Sequence, residues 1–474
     1  MKILVVGGGS AGLMAACLLK KRLSFQVDVV KSEKIGTIGV GEGSTEHFAE
    51  FIGAMGVDPL TVIKECDATL KSGVMFEGWS KKPYLHSIGG AYSLKAGQYN
   101  YIYAKLISEG AEHLSPKYFW ANKVETDLSF YQYHFNTFKL NDFLINLASS
   151  EGIGFFEDEI LDVQVDSSGN IKKLQGEKQD YEYDFYIDCT GFKKLLISKL
   201  GAKWISFKEY LPMKAAMVFM TPDEDEYNLW SLAKAMKYGW LFRTPVWGRH
   251  GNGYIFDSDF VDEESAKKEI EELFGSDIKI GKKFSFDPGY LDRTWINNCV
   301  AIGLSSSFVE PLEASSIGAS IQQAFLLIHN ISNYNQKSID FYNKSVKDIV
   351  LNIRDFLALH YLVDKNDSLF WESIKNLPVP ESLQNRLDVW KQRLPIKEDF
   401  SDLSDYILFK DQHFLMILNG LKILDVDNIK KEYMSLTPEL RDVADLVVAQ
   451  ELNRQNNANL MSHKAFLSLL RQGG

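Results

Sequence analysis

The feature that most constrains this chain lies at its start. Ile3 to Val6 is a short aliphatic run with no polar break, and Gly7-Gly8-Gly9-Ser10-Ala11-Gly12 follows it directly. An unbroken apolar tetrad bounded by glycine reads as a strand buried on both faces, as in a parallel sheet. Leu13, Ala16, Leu18 and Leu19 then suggest a helix, and Val27 to Val30 a second strand. The turn between strand and helix satisfies G-x-G-x-x-G, and each glycine has a physical task. Gly7 permits the tight turn, Gly9 lets backbone N–H groups approach a pyrophosphate, and Gly12 lets helix and strand pack closely. Ser10 and Ala11 open the helix, whose N-terminus faces the anion. An α/β chain with a dinucleotide site in its first βαβ unit is expected.

In such units an acidic residue roughly 20 positions beyond the glycines accepts the ribose hydroxyls. Here the strand ends Val29-Val30-Lys31-Ser32-Glu33. Lys31 stands where the acid is commonest, and Glu33, two residues late, is either the ribose ligand or a solvated loop acid. Between Gly36 and Gly43, four of eight residues are glycine, which lets a flat ring lie against backbone around Val40, Gly41 and Glu42. Further on, Asp158 to Val165 and Ile171 to Leu174 flank Ser167-Ser168-Gly169-Asn170 as a hairpin. Phe185 to Asp188 and Cys299 to Ile302 are apolar strands that run into small-residue turns, where α/β sheets open their ligand crevice. Asp188, Gly303 and Leu304 are therefore cofactor-side candidates. After about residue 318 the pattern becomes helical, with Ile339, Val346, Ile349, Val350, Ile353, Phe356 and Leu357 at helical spacing. The last third is expected to be mostly helical, and without a long Pro/Gly linker the domains are expected to interleave.

Composition excludes several classes. The 474 residues are 45% hydrophobic and 24% charged, which suits a globular protein with a sizeable core. A net charge of −11 argues against a nucleic-acid partner. Cys17, Cys66, Cys189 and Cys299 form no CxxC pair, and neither a metal ligand set nor a dithiol motif is visible. The start could pass for a secretory signal, but glycines interrupt its apolar run, and nothing later reaches the ~18 apolar residues of a membrane span. A cytoplasmic protein with no membrane partner is expected.

With the glycine turns in place, the sequence resembles the flavin-dependent halogenases of the tryptophan-halogenase family, whose members pair G-x-G-x-x-G with a turn like Gly39-Val40-Gly41-Glu42. Cys66 to Trp79 is similar to the family segment that carries its catalytic lysine, which falls on Lys71. Ala235 to Pro245 resembles the segment of the WxWxIP signature, and Phe308 to Gly318 the stretch with the catalytic glutamate, which falls on Glu313 rather than Glu310. The likeness runs from residue 1 to about residue 360.

The resemblance implies an FAD-binding Rossmann-like module (1–80, 150–200 and 285–330) interleaved with a mixed-sheet substrate module (81–149 and 201–284). A mainly helical region, 331–474, would cover the substrate site. It implies FAD, used as FADH2, with O2 and a chloride, bromide or iodide ion. A separate flavin reductase would be the partner and a small aromatic molecule the substrate, with a homo-oligomer left open. Hypohalous acid would pass through a closed tunnel to Lys71. There an ammonium can donate a hydrogen bond to it or form a haloamine, and Glu313 would take up the ring proton. Backbone N–H groups of Ser315 and Ser316 would hold the halide, and His86, Ile88, Phe414 and Leu415 would face the substrate.

The departures from the family are informative. Trp240, Phe242, Thr244 and Pro245 keep half the signature, and Phe242 reads as a core aromatic on a strand. Ile88 stands where the family has a Phe, and Gln412 to Gly420 lacks the tyrosine pair and nearby Trp that hold the amino-acid end of tryptophan. An electron-rich indole or phenol is expected as substrate in place of free tryptophan. The alternative is a flavin-dependent aromatic monooxygenase, which would have no use for Lys71.

Overall fold

In the computed structural model, the described residues are 1–32, 34, 42–88, 99–125, 128, 131–457 and 460–472. Glu33, Val40 and Gly41, expected at the cofactor, lie outside them.

Two large sheets organise the chain. In the first, five parallel strands run in the order Cys299–Ala301, Phe185–Asp188, Lys2–Val6, Gln26–Lys31, Gly154–Glu157, and Trp295–Ile296 adds an antiparallel edge. The strand Lys2–Val6 is central, which explains why its residues are apolar without alternation. Ile3 and Val5 pack towards the helix Ser10–Arg22, while Leu4 and Val6 pack on the opposite face against the hairpin Ile160–Val165 and Ile171–Gly176. Both faces of the sheet are covered, as a parallel sheet requires.

The second sheet has seven strands in the order Ile280–Ser285, Ala215–Pro222, Arg249–Phe256, Gly239–Val246, Trp230–Met236, Gly73–Glu77, Tyr84–Ser87. Its pairs are antiparallel except Trp230–Met236 with Gly73–Glu77. The chain thus enters this mixed sheet by Gly73. Just before it, the short strand Thr69–Lys71 pairs with Gln132–His134 outside both large sheets.

From Ser315 onward the chain is mainly helical. The 25-residue helix Gln336–His360 buries the stripe Ile339, Val346, Ile349, Val350, Ile353, Phe356 and Leu357. The helix His463–Gln472 returns to the lysine strand. There His463 Nε2 accepts the backbone N–H of Leu70 at 3.0 Å, and Arg471 donates to the Ile63 carbonyl at 2.7 Å. Among the described residues no helix is long and apolar enough to cross a membrane.

Candidate functional site

A cavity of about 800 Å3 lies where the C-terminal ends of the parallel strands meet the second sheet, and Gly7 to Gly12 form part of its wall. The glycines are there for space as much as for conformation. Gly7 has φ +123°, and a Cβ on it would stand 2.2 Å from the Cys189 carbonyl oxygen. A Cβ on Gly12 would stand 2.2 Å from the carbonyl oxygen of Gly7. Gly9 differs, since nothing lies within 4 Å of where its Cβ would point. The helix Ser10–Arg22 begins with no side-chain cap and no acidic residue in its first turn, so its N–H groups are free to meet an anion. Ser10, Ala11, Gly303 and Leu304 border the same cavity. Gly303 has φ +72°, and a Cβ there would come within 2.7 Å of Ala11 Cβ. A cavity this large, at the upper end of the about 300–1,000 Å3 typical of cofactor sites, with a glycine cradle and an uncapped helix N-terminus, fits a dinucleotide.

Gly9→Ala is expected to leave the apoprotein's melting temperature unchanged and weaken dinucleotide binding at least about tenfold, because its methyl group meets only the ligand. Gly12→Ala is expected to cost stability in the apoprotein. Equal melting temperatures for the two variants would contradict this division.

Asp188, expected on the cofactor side, does not border the cavity. Its carboxylate is fully buried and accepts from the N–H groups of Thr190, Leu196 and Ile197 and the hydroxyls of Thr190 and Ser305. It ties the crevice loops together, and its neighbours Cys189, Thr190 and Gly191 line the cavity instead. Burial and the Asp188 charge push the Cys189 thiol well above the ordinary thiol range.

Glu42 also lines the cavity, although 7% exposed, and its carboxylate accepts from Arg249. Burial raises this carboxyl against the opposing pull of the guanidinium. Position 251 must be glycine for the pair to form, since a Cβ there would stand 1.6 Å from Glu42 Oε2. Phe242, read from sequence as a core aromatic, packs against the core and also forms cavity wall with Thr244. It lies flat against Gly253, where a Cβ would be 2.3 Å from its ring. Trp240 is wholly buried, and its indole N–H donates to Glu310 at 3.4 Å.

Lys71 is fully buried, yet it borders the cavity, and its ammonium donates to the Ser44 carbonyl at 2.8 Å. Burial lowers its pKa to about 8 against the raising effect of Glu313 and Glu46. A Cβ on Gly43 would stand 3.5 Å from Lys71 Nζ and 3.4 Å from Ala314 Cβ, which puts the lysine beside the glutamate turn. The lysine strand is pinned sideways as well. The Thr69 hydroxyl donates to the Pro245 carbonyl at 2.7 Å, so it accepts from His134 Nδ1 at 3.1 Å. His134 Nε2 is then left to accept from Ser231 at 3.0 Å.

The glutamate turn explains why the two acids three apart in sequence have different surroundings. Pro311–Glu313 is one tight turn, Ala314 is left-handed with φ +52°, and the helix Ser315–Asn330 follows. Glu310 enters the core, where it meets the hydroxyl of Tyr361 and the indole of Trp240, and burial raises its pKa to about 7. Glu313 lies between two histidines. Its Oε2 is 2.9 Å from His86 Nδ1 and its Oε1 is 3.0 Å from His360 Nε2. Burial alone would raise this carboxyl, but the two imidazoles outweigh it and hold it at about 2. Ser315 and Ser316 open the following helix with no side-chain cap, Ser316 borders the large cavity, and Ser315 Oγ is buried without a hydrogen-bond partner. An anion at those N–H groups is favoured by the helix dipole.

The structure thus brings Lys71, Glu313, His86, Ser315 and Ser316 around one turn. It does not bring Phe414 and Leu415 there. Phe414 packs among Phe356, Trp390 and Phe400 with ring centroids 5.0–5.3 Å apart, and both residues are wholly buried in the helical core. Ile88 is also buried, at 2% exposure, and the segment 89–98 that follows it lies outside the described residues. Both ring nitrogens of His86 are engaged, the second at 2.9 Å from His413 Nδ1. Sequence reasoning missed His360, His413, Ser44 and Arg249. Only His360 left a signal, because it follows Phe356 by one helical turn and so continues the buried stripe.

The chain is similar to known proteins over most of its length. The tryptophan halogenase family profile matches residues 2–431. The chain is 30% identical to the 7-chloro-L-tryptophan 6-halogenase KtzR of Kutzneria sp. (strain 744), over 84% of this chain and 86% of that protein. It is 29% identical to the tryptophan 6-halogenase SttH of Streptomyces toxytricini, over 95% and 97% of the two chains. The solved structure of Tar14, a tryptophan C-6 flavin-dependent halogenase from taromycin biosynthesis, superposes with a TM-score of 0.89 at 25% identity, covering 99% of both chains.

Proposed function

Because the chain belongs to the tryptophan halogenase family and is a flavin-dependent halogenase, we propose that it halogenates an electron-rich aromatic substrate of the indole or phenol type at Lys71, with Glu313 as base. The observation that carries this reading is that one cavity borders both the dinucleotide turn and the buried Lys71 ammonium. FAD supplied as FADH2 by a separate reductase would provide, with O2, the oxidising equivalents that turn a halide into hypohalous acid.

The chain's own residues do the rest. Gly7, Gly9 and Gly12 admit the pyrophosphate, and the start of the Ser10–Arg22 helix offers it N–H groups. The N–H groups of Ser315 and Ser316 hold the halide at the cavity edge, and Phe242 keeps an aromatic wall beside the flavin. The discontinuous unit 1–80, 150–200 and 285–330 then serves the cofactor, and 81–149, 201–284 and 331–474 the substrate. Burial lowers the Lys71 pKa to about 8, so near neutrality it can donate a hydrogen bond to the acid's oxygen as the ammonium or, as the free amine, attack the halogen to form an N–X bond while the O–X bond breaks and the oxygen leaves as water with a proton from the nitrogen. Either way the electrophile is held beside one ring carbon. Glu313, ionised between its histidines, offsets the ring's positive charge and then accepts its proton.

Ile88 offers no stacking face, so regiochemistry is expected to follow the ring's own nucleophilicity. Bromide, and iodide with it, is expected to serve at least as well as chloride, and free tryptophan with chloride to be slow. Incubation with reduced FAD, O2, each halide and a panel of indoles and phenols, read by mass spectrometry, tests all of this. A halogen mass shift on the most activated carbon is the expected result. Oxygen insertion without halogen would overturn it, and efficient chlorination of tryptophan at a disfavoured benzo-ring carbon would overturn the substrate reading.

A further inference from the structure

Three side chains behind Lys71 fix the direction of one hydroxyl on the cavity wall. The Pro245 carbonyl can only accept, so the Thr69 hydroxyl spends its single proton on it at 2.7 Å. The contact between Thr69 Oγ1 and His134 Nδ1, 3.1 Å long, must then use a proton on the nitrogen. His134 is wholly buried, and burial with the nearby Lys71 charge pushes its pKa well below the ordinary imidazole range, so the ring is neutral and Nε2 is bare. The Ser231 hydroxyl therefore donates to Nε2 at 3.0 Å. Three contacts take three protons, one each from Thr69, His134 and Ser231, and every contact is satisfied. Ser231 Oγ is left with lone pairs alone for anything else it meets.

That oxygen belongs to a residue on the cavity wall, whereas His134 behind it does not border the cavity. The sheet brings Ser231 close to the lysine, since it pairs with Val74 in parallel register and the Ser72 N–H donates to the Leu229 carbonyl. A Cβ on Gly43 would stand 3.5 Å from Lys71 Nζ and 3.8 Å from Ser231 Oγ, so the glycine leaves open a space within reach of both. Lys71 brings donors to that space. Among the described residues its ammonium spends one of its three N–H groups, on Ser44. One side of the gap donates and the other accepts, which suits a small molecule whose single oxygen carries both a lone pair and a proton.

We propose that Ser231 holds hypohalous acid together with Lys71: the acid's oxygen accepts from the ammonium, and its O–H donates to Ser231 Oγ. The proposal rests on Lys71 being the residue at which halogenation occurs. With the oxygen tied on two sides, the halogen is aimed to the remaining side, towards the substrate. No bond is made or broken in this binding, and every proton stays on its own atom. A hydroxyl suits the place because it accepts without presenting sulfur or nitrogen to the oxidant, and it covers the bare nitrogen of the imidazole that orients it.

The test uses the full-length enzyme with FAD, a flavin reductase, bromide and an electron-rich indole, with monochlorodimedone added to trap oxidant that escapes. The quantity measured is the ratio of brominated trap to brominated indole. Ser231→Ala is expected to raise this ratio about fivefold, the worth of one hydrogen bond, with FAD affinity by flavin fluorescence within about twofold of wild type. Ser231→Thr keeps the acceptor and is expected to hold the wild-type ratio. Ser231→Val has the shape of the threonine variant without the hydroxyl, so it is expected to leak as alanine does and repeats the comparison should alanine fail to fold. A structural role for Ser231 predicts a lower melting temperature and less total bromination at an unchanged ratio, and that outcome overturns the proposal. Loss of FAD affinity along with the hydroxyl also overturns it, since Ser231 would then meet the flavin. Lys71→Ala is measured alongside. If it still brominates the indole, the lysine reading fails. If it makes no brominated indole while Ser231→Ala keeps the wild-type ratio, Ser231 alone loses its role.

Discussion

Lys71→Ala is expected to abolish halogenation while leaving the flavin bound, because in the mechanism proposed the amine meets the oxidant after it has left the flavin. Product formation by mass spectrometry and bound-flavin absorbance separate the two. Retention of more than about a tenth of wild-type turnover, under ~1.4 kcal/mol in the barrier, would remove Lys71 from its role. The same residue carries a stability cost with a definite pH signature. Burial lowers its pKa from 10.5 to about 8, so the unfolded chain holds the proton more tightly than the folded one. Below pH 8 the full penalty applies, of the order of 3 kcal/mol, and it fades as pH rises towards 10.5. Lys71→Met is therefore expected to melt above the wild type at pH 7, by less than the full penalty because the bond to Ser44, worth about 1 kcal/mol, is lost. The gain is expected to shrink above pH 8. A lower melting temperature at pH 7 for the methionine variant would show that the ammonium is better solvated than its surroundings indicate.

Glu313→Gln has the second large effect. The amide keeps the shape but can neither take up the ring proton nor balance its charge, so turnover is expected to fall by about 10²–10⁴-fold. Glu310→Gln is expected to be far milder. Glu310 lies against Tyr361 and Trp240, and burial raises its pKa to about 7, so an amide replaces a carboxyl whose charge is already disfavoured. The opposite ranking in steady-state rates would move the base to Glu310.

What could be read from the sequence was what depends on near neighbours. Residues 3–12 encode a strand, a turn and a helix through local apolarity and glycine alone, and the structure reproduces them. The helical stripe from Ile339 to Leu357 was equally plain. Asp188 stands at the end of a parallel strand, where cofactor ligands cluster, while its carboxylate accepts from five donors of the crevice loops, which no local pattern announces. The contacts between the histidines and Glu313 could not be read at all. His86 and Glu313 are 227 residues apart and His86 and His413 are 327 apart, with no spacing rule to connect them. Phe414 and Leu415 were drawn to the substrate by position in the chain, but a helix that buries one face gives its large apolar residues to the core first.

In the mechanism proposed, any hypohalous acid that strayed inside the cavity would be spent on the nearest nucleophile. Cys189 borders the cavity, whereas Cys17, Cys66 and Cys299 are buried. Its thiol is kept protonated by burial and by the Asp188 charge, and the thiolate is the reactive form. The carboxylate that knits the crevice loops therefore also holds in its unreactive, protonated form the one sulfhydryl on the cavity wall among the described residues.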